Sequence, residues 1–169
     1  MRPQTERLIQ EAFDLLGVNN FASLSRAYSE EDQKLMKNWM WDHQSPTLIT
    51  NRMRKILEKI NPADLSEDDS IWWHEILWFW YHHAISCAVL KRKDRALAQQ
   101  YAARAIELQP DDHPNQITEL LFLLVHDRLQ EAKEMAEHMP TPEEDPEVGI
   151  ERQSALDLVA LYERGEFFA

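Results

Sequence analysis

Apolar residues recur every three or four positions through the start of the chain, which is the spacing of an amphipathic helix. A first helix is predicted to begin near Pro3 and to end at Gly17. A short second helix covers residues 21–28. Ser29 is followed by three acidic residues, a pattern typical of a helix cap, and it predicts a separate third helix that extends through Met40.

Proline and acidic residues then divide the chain. Pro46 suits the first turn of a fourth helix, which is predicted to end at Asn61. The next residues, 63–70, are rich in Asp, Glu and Ser and predict a boundary between an N-terminal region, 1–62, and a C-terminal region, 63–169. Five more helices are predicted in the C-terminal region, at about 71–90, 96–108, 115–125, 129–139 and 151–164.

Composition supports the same fold class. Only three of the 169 residues are glycine, and good helix formers fill the long stretches between the eight prolines. We therefore expect an all-α fold, in which an N-terminal helical bundle packs on two or three helical hairpins.

The C-terminal region contains an internal sequence repeat. Ala98 and Ala102 recur 34 residues later as Ala132 and Ala136. With Pro110 at the end of the first unit, this spacing resembles the tetratricopeptide repeat, a helix-turn-helix unit with small residues where its helices cross. The resemblance covers about 100 residues, from about residue 71 to the closing segment ALDLVALYERGEFF.

The repeat resemblance implies a protein-binding groove lined by the first helix of each hairpin. It also implies a protein or peptide partner, in the manner of an adaptor. The residues that this register places in the groove are Trp80, His83, Cys87, Ile117, Leu121 and Leu124.

The N-terminal region is similar to the helix-turn-helix domains of phage repressors. The shared features are Leu16-Gly17-Val18 at the end of a first helix, Leu24 in a short second helix, Trp39 in a third and Pro46 opening a fourth. This alternative predicts a small transcriptional regulator with a C-terminal dimerisation or sensor region. The residues that would contact DNA are Gln33, Lys34, Lys37 and Asn38.

Charge separates the two regions. The formal net charge of the chain is −12. Residues 1–62 carry nine basic and eight acidic residues, a net charge of +1, so residues 63–169 carry a net charge of −13. The C-terminal region is expected to repel nucleic acid and anionic membranes. A nucleic acid could therefore bind only through the N-terminal region, and a protein partner of the C-terminal region is expected to be basic or amphipathic.

The apolar segment 71–90 is long enough to span a bilayer and contains one formal charge, Glu75. Its tryptophans do not form two interfacial belts, and three histidines with Glu75 would be costly in lipid. We therefore interpret it as a helix buried by its neighbours and predict no membrane association. A single cysteine and a charged N-terminal segment without a signal-like apolar run favour the cytoplasm.

Candidate catalytic and metal-binding chemistry is sparse. His74 and Glu75 begin a zinc-protease pattern, but Trp78 stands where the second histidine is required. Glu134 and His138 share a helix face, as many solvated pairs do. His83 precedes Cys87 by one helical turn, but apolar surroundings raise a thiol pKa and favour an inert cysteine. We expect no enzymatic activity, no metal and no cofactor; a homodimer is a further possibility for the aromatic segment 72–81.

Overall fold

The computed structural model describes residues 1–37, 48–109 and 115–168. These residues form eight α-helices and one short 3-10 turn, with no strand among them, so the all-α prediction is confirmed. The predicted positions Asn38, Trp39, Met40, Pro46 and Pro110 lie outside the described residues. The helices are α1 (Pro3–Leu16), α2 (Phe21–Lys37), α3 (Ile49–Leu57), α4 (Glu67–Leu90), α5 (Arg95–Leu108), α6 (Gln116–Val125), α7 (Leu129–His138) and α8 (Val148–Glu163).

The chain divides into two compact units, Met1–Trp80 and Tyr81–Ala169, and the division falls inside α4. The compositional boundary at residues 62–63 coincides instead with the 3-10 turn Pro62–Asp64, which lies between α3 and α4. Helix α4 begins at Glu67, four residues before the predicted start, because Ser66 caps it by accepting a hydrogen bond from the amide of Asp69 at 3.2 Å.

In the N-terminal unit, α1 packs on α2 and α3. Gly17 adopts the left-handed conformation at φ +65° and ends α1 where the sequence predicts. Phe13 and Phe21 then meet edge to face at 5.3 Å between ring centroids, and the indole of Trp73 donates a hydrogen bond of 2.9 Å to the carbonyl of Leu57. The unit therefore has a core of its own, built from aromatic and aliphatic side chains.

The prediction of a helix break at Ser29 is wrong. Helix α2 is continuous because one of its faces stays buried across that point, from Phe21 and Leu24 through Tyr28 to Asp32 and Leu35. Its N-terminus is capped by Asn20, whose side chain accepts a hydrogen bond of 2.8 Å from the amide of Ser23. No turn therefore separates the two segments that the helix-turn-helix resemblance treats as a second and a third helix.

In the C-terminal unit, α5 packs on α6, α6 on α7, and α8 on both α6 and α7. The predicted small-residue positions are inaccessible to solvent: Ala98, Ala102, Ala132 and Ala136 are each 0% exposed. The backbone shares the 34-residue spacing, since α5 and α7 begin at Arg95 and Leu129 and the turns before them place Lys93 and Asp127 at positive φ.

The C-terminal segment folds back on this unit. Gly165 turns the chain at φ +73°, and Phe167 is 2% exposed. The guanidinium of Arg95 lies 4.3 Å from the ring centroid of Phe168 and forms an ion pair of 2.7 Å with Asp127, which also accepts a hydrogen bond from the Tyr162 hydroxyl. These contacts join the start of α5, the α6–α7 turn and the end of α8.

Candidate partner-binding groove

Most of the groove residues predicted from the repeat register lie in the core. Trp80 and Leu124 are 0% exposed, and Leu121 and Cys87 are also buried. Only His83 and Ile117 are partly exposed. The ring of Trp80 is covered by the Arg54 guanidinium at 4.6 Å, within the N-terminal unit. Only two of the six side chains therefore expose a substantial part of their surface.

The candidate DNA-contacting residues are exposed on α2. Gln33, Lys34 and Lys37 all face solvent. Gln33 also lines a shallow groove of about 380 Å³ in the N-terminal unit, together with Trp72 and Arg26. These side chains are accessible, but they belong to the uninterrupted helix α2 and not to a recognition helix that follows a turn.

A larger groove lies between α6 and α7 in the C-terminal unit, with a volume of about 610 Å³. We call it the α6–α7 groove. Its apolar lining is formed by the half-buried Met135 and by Leu123 and Met139, which are 9% and 4% exposed. Its polar lining is formed by Gln116, Glu119, Glu131, Glu134 and His138. Three carboxylates thus surround an apolar floor.

Local hydrogen bonds hold two of these carboxylates, Glu131 and Glu134, in place. Glu131 accepts a hydrogen bond of 2.9 Å from Arg128, and this bond holds the pKa of the Glu131 carboxyl below its ordinary value. Glu134 accepts a hydrogen bond of 3.1 Å from Gln130, while Nδ1 of His138 lies 2.6 Å from the carbonyl oxygen of Glu134. The hydrogen bond from Arg128 therefore favours the ionised form of Glu131 on the groove wall.

One acceptor in the groove is unsatisfied among the described residues. The Oε1 atom of Gln116 is buried and has no hydrogen-bond partner in that part of the chain. A buried acceptor without a donor is unfavourable.

The ends of the groove are fixed by caps and by a close backbone approach. Asn115 caps α6 by accepting a hydrogen bond of 3.0 Å from the amide of Thr118. At the end of α7, Arg152 donates a hydrogen bond of 3.1 Å to the carbonyl of Met139. Gly149 lets α8 approach the segment Thr141–Pro142 so closely that a Cβ atom would lie 2.4 Å from Pro142 Cα. Helix α8 thereby holds the chain that positions Met139.

Models of known protein families, characterised proteins and solved structures give no match to this chain.

The described residues contain no group of three or more His, Cys, Asp or Glu side chains placed to hold a metal ion. Cys87, the single cysteine of the chain, is buried. His82 on α4 joins this helix to α6 through a 2.9 Å hydrogen bond between its Nδ1 atom and the Thr118 hydroxyl. Within the described ranges, no helix is both long and apolar enough to cross a membrane.

Sequence reasoning identified Glu134 and His138 as neighbours on one helix face but did not connect them with a groove. The signal that could have done so is the series Glu131, Met135 and Met139, which places a carboxylate and two thioethers one turn apart on α7. On α6, Glu119 and Leu123 have the same spacing. Each helix thus presents an acidic and an apolar residue to the groove.

Proposed function

We propose that this protein is a non-enzymatic interaction module whose α6–α7 groove binds a basic, amphipathic segment of a partner protein. The observation that carries the proposal is the combination of an apolar floor, Leu123, Met135 and Met139, with three carboxylates around it. Apolar side chains of the partner would supply affinity, and its cations would face the carboxylates. The repeated 34-residue spacing of α5 and α7 supports an adaptor architecture of helical hairpins.

The length of the α6–α7 groove favours a partner segment that is a helix of about two turns. From Gln116 to Leu123, α6 rises by roughly 10 Å at about 1.5 Å per residue, and the lining of α7 has a similar length. A partner helix of this length presents two or three apolar side chains on one face. The half-buried, flexible Met135 can adapt to anchors of different shape.

The negative charge of the C-terminal region selects for basic partner segments. Residues 63–169 carry a net charge of −13, so a basic segment is attracted from a distance and an acidic one is repelled. The same field disfavours DNA and anionic lipid as ligands of this unit. The chain has a single cysteine, Cys87, which has no second cysteine with which to form an internal disulfide, and we therefore propose that the protein acts in the cytoplasm.

The proposal is tested with a fluorescent amphipathic peptide about 14 residues long that carries leucines on one helical face and lysines elsewhere. Fluorescence anisotropy of this peptide, titrated with the full chain, is expected to give saturable binding that weakens as salt screens the charges. The same peptide with glutamate in place of lysine should not bind.

Two substitutions locate the binding. The triple variant Glu119→Gln, Glu131→Gln, Glu134→Gln removes the groove charges without removing side-chain volume, and we expect affinity to fall roughly tenfold. Its matched control neutralises three exposed carboxylates outside the groove, Glu137→Gln, Glu143→Gln, Glu144→Gln, and should bind almost as the unmodified chain does.

The apolar floor is tested separately by Met135→Ala, with Ile150→Ala on α8 as the control, because Ile150 is 70% exposed and lies outside the groove. Only the first substitution should weaken binding. Equal losses in the groove variants and their controls, or no binding of the lysine peptide, would contradict the proposed function.

A further inference from the structure

The turn between α4 and α5 has the chemistry that the α6–α7 groove is proposed to recognise. Leu90, at the end of α4, is 42% exposed; among the described residues it is one of the few exposed large aliphatic side chains, with Ile71 and Ile150. The next three residues, Lys91, Arg92 and Lys93, are all exposed and basic. We call residues 90–93 the basic turn; it combines one apolar side chain with three cations.

The basic turn is exceptional within its own unit. Five other cations of the C-terminal unit form ion pairs with neighbouring carboxylates: Arg95, Arg104, Arg128, Lys133 and Arg164. Arg152 donates a hydrogen bond to a backbone carbonyl. Arg92 and Lys93, by contrast, form no ion pair with any carboxylate in the described part of the chain. Uncompensated positive charge in this acidic unit is thus concentrated at one exposed turn.

Backbone hydrogen bonds hold the conformation of the basic turn before any docking. The amide of Arg92 donates a hydrogen bond of 3.1 Å to the carbonyl of Cys87, and the amide of Asp94 donates one of 2.9 Å to that of Ala88. The side chain of Asp94 in turn caps α5 by accepting a hydrogen bond of 3.0 Å from the amide of Leu97. A rigid turn loses little conformational entropy on docking.

We propose that the basic turn of one molecule docks into the α6–α7 groove of a second copy of this chain. This inference rests on the proposed function of the groove and names one of its occupants. Leu90 would contact the apolar floor, and the three cations would face Glu119, Glu131 and Glu134. The charge of −12 on the whole chain favours this acidic groove over nucleic acid or an anionic membrane as the binding partner of the turn.

The turn and the groove are different surfaces, since no residue of the basic turn lines the groove. Their contact is therefore heterologous: each docking leaves one turn and one groove available for another molecule. Association by this contact should increase steadily with protein concentration and should decrease with salt. It should also compete with the binding of a basic peptide.

Sedimentation of the full chain over a range of concentrations, at low and high salt, tests the inference. The turn variant Arg92→Glu, Lys93→Glu should associate at least tenfold more weakly than the unmodified chain while it binds the lysine peptide with unchanged affinity. A matched charge reversal at two exposed cations of the N-terminal unit, Arg52→Glu, Lys55→Glu, should leave association unchanged.

Mixing the groove variant with the turn variant gives a sharper test. The groove variant Glu119→Gln, Glu131→Gln, Glu134→Gln retains its basic turn, and the turn variant retains its groove. At a concentration at which the unmodified chain associates, each variant alone should stay largely monomeric, whereas an equimolar mixture should form a one-to-one dimer that cannot extend further.

The two proposals fail in different ways. If the unmodified chain binds the lysine peptide but stays monomeric at every concentration, or if the turn variant associates as strongly as the unmodified chain, the self-docking inference is overturned and the proposed function stands. If the peptide does not bind, the proposed function itself is contradicted.

Discussion

Replacing Gly149 with alanine is expected to destabilise the protein, although helix propensity alone predicts the opposite. Gly149 is the second residue of α8, and alanine is a better helix former than glycine by about 0.5–1 kcal/mol. The backbone that surrounds Gly149 reverses the sign of the expected change in stability. A Cβ atom on Gly149 would lie 2.4 Å from both Cα and N of Pro142 and 2.6 Å from the carbonyl carbon of Thr141.

Ordinary van der Waals contacts of a Cβ atom lie at 3.4–4 Å, so the segment Thr141–Pro142 would have to move by roughly 1 Å. Its atoms belong to the backbone and cannot rotate away as a side chain does. Overpacking of this kind costs about 1–3 kcal/mol, which exceeds the gain in helix propensity. We therefore expect the free energy of unfolding to fall by about 1–2 kcal/mol.

Urea denaturation followed by circular dichroism measures this change. The control is Ser154→Ala, at an exposed position on the same helix, for which the change should stay within about 0.5 kcal/mol. Because Met139 precedes the displaced segment, Gly149→Ala should also weaken binding of the lysine peptide. An unfolding free energy equal to or above that of the unmodified chain would refute the close approach of α8 to Thr141–Pro142.

Three further substitutions test other parts of the account. Ala102→Leu should destabilise the chain by about 1–3 kcal/mol, because Ala102 is 0% exposed on α5, while Ala103→Leu at the adjacent exposed position should be nearly neutral; equal stabilities in thermal unfolding would contradict the tight helix crossing. Burial, with a smaller contribution from Asp32, raises the pKa of Tyr28, so stability should be lost as the pH rises above about 10, and Tyr28→Phe should remove part of that loss in alkaline denaturation. The hydrogen bond from Tyr162 lowers the pKa of Asp127, so the stability that this carboxylate contributes is present above about pH 4 and is lost as the pH falls through the lowered value; Asp127→Asn should flatten the acid side of the stability profile.

The sequence predicts the fold class and most helices because their apolar spacing is regular and their ends carry strong signals. Gly17 illustrates this, since a left-handed glycine ends α1 where the pattern indicates. The alanine positions were also predictable, because Ala98, Ala102, Ala132 and Ala136 repeat at a fixed interval and are all inaccessible. Local signals of this kind require no knowledge of tertiary contacts.

Ser29 shows where local signals fail. Serine followed by three acids is a good cap, but the buried face that runs from Phe21 to Leu35 keeps α2 helical, since tertiary burial outweighs one capping preference. Asp32 could not be predicted to be buried at 3% exposure, because a carboxylate normally faces solvent.

The candidate site was the hardest part to predict. The repeat register placed Leu121 and Leu124 in a groove, yet in the structure both are buried. The α6–α7 groove is lined by residues one position or more away, such as Leu123 on α6, which is 9% exposed. Because neighbouring residues on a helix point about 100° apart, a shift of one position exchanges a core side chain for a groove side chain. Helical periodicity identifies the faces but not which face meets a neighbour.

The central claim, that the α6–α7 groove binds a basic segment, is tested most directly by nuclear magnetic resonance of the methionine methyl groups. Met135 and Met139 line the groove, whereas Met53 is buried in the core of the N-terminal unit. Titration with the lysine peptide should shift the signals of Met135 and Met139 to saturation and leave that of Met53 in place. If the peptide binds while the Met135 and Met139 signals do not move, the bound segment lies elsewhere and the account is contradicted.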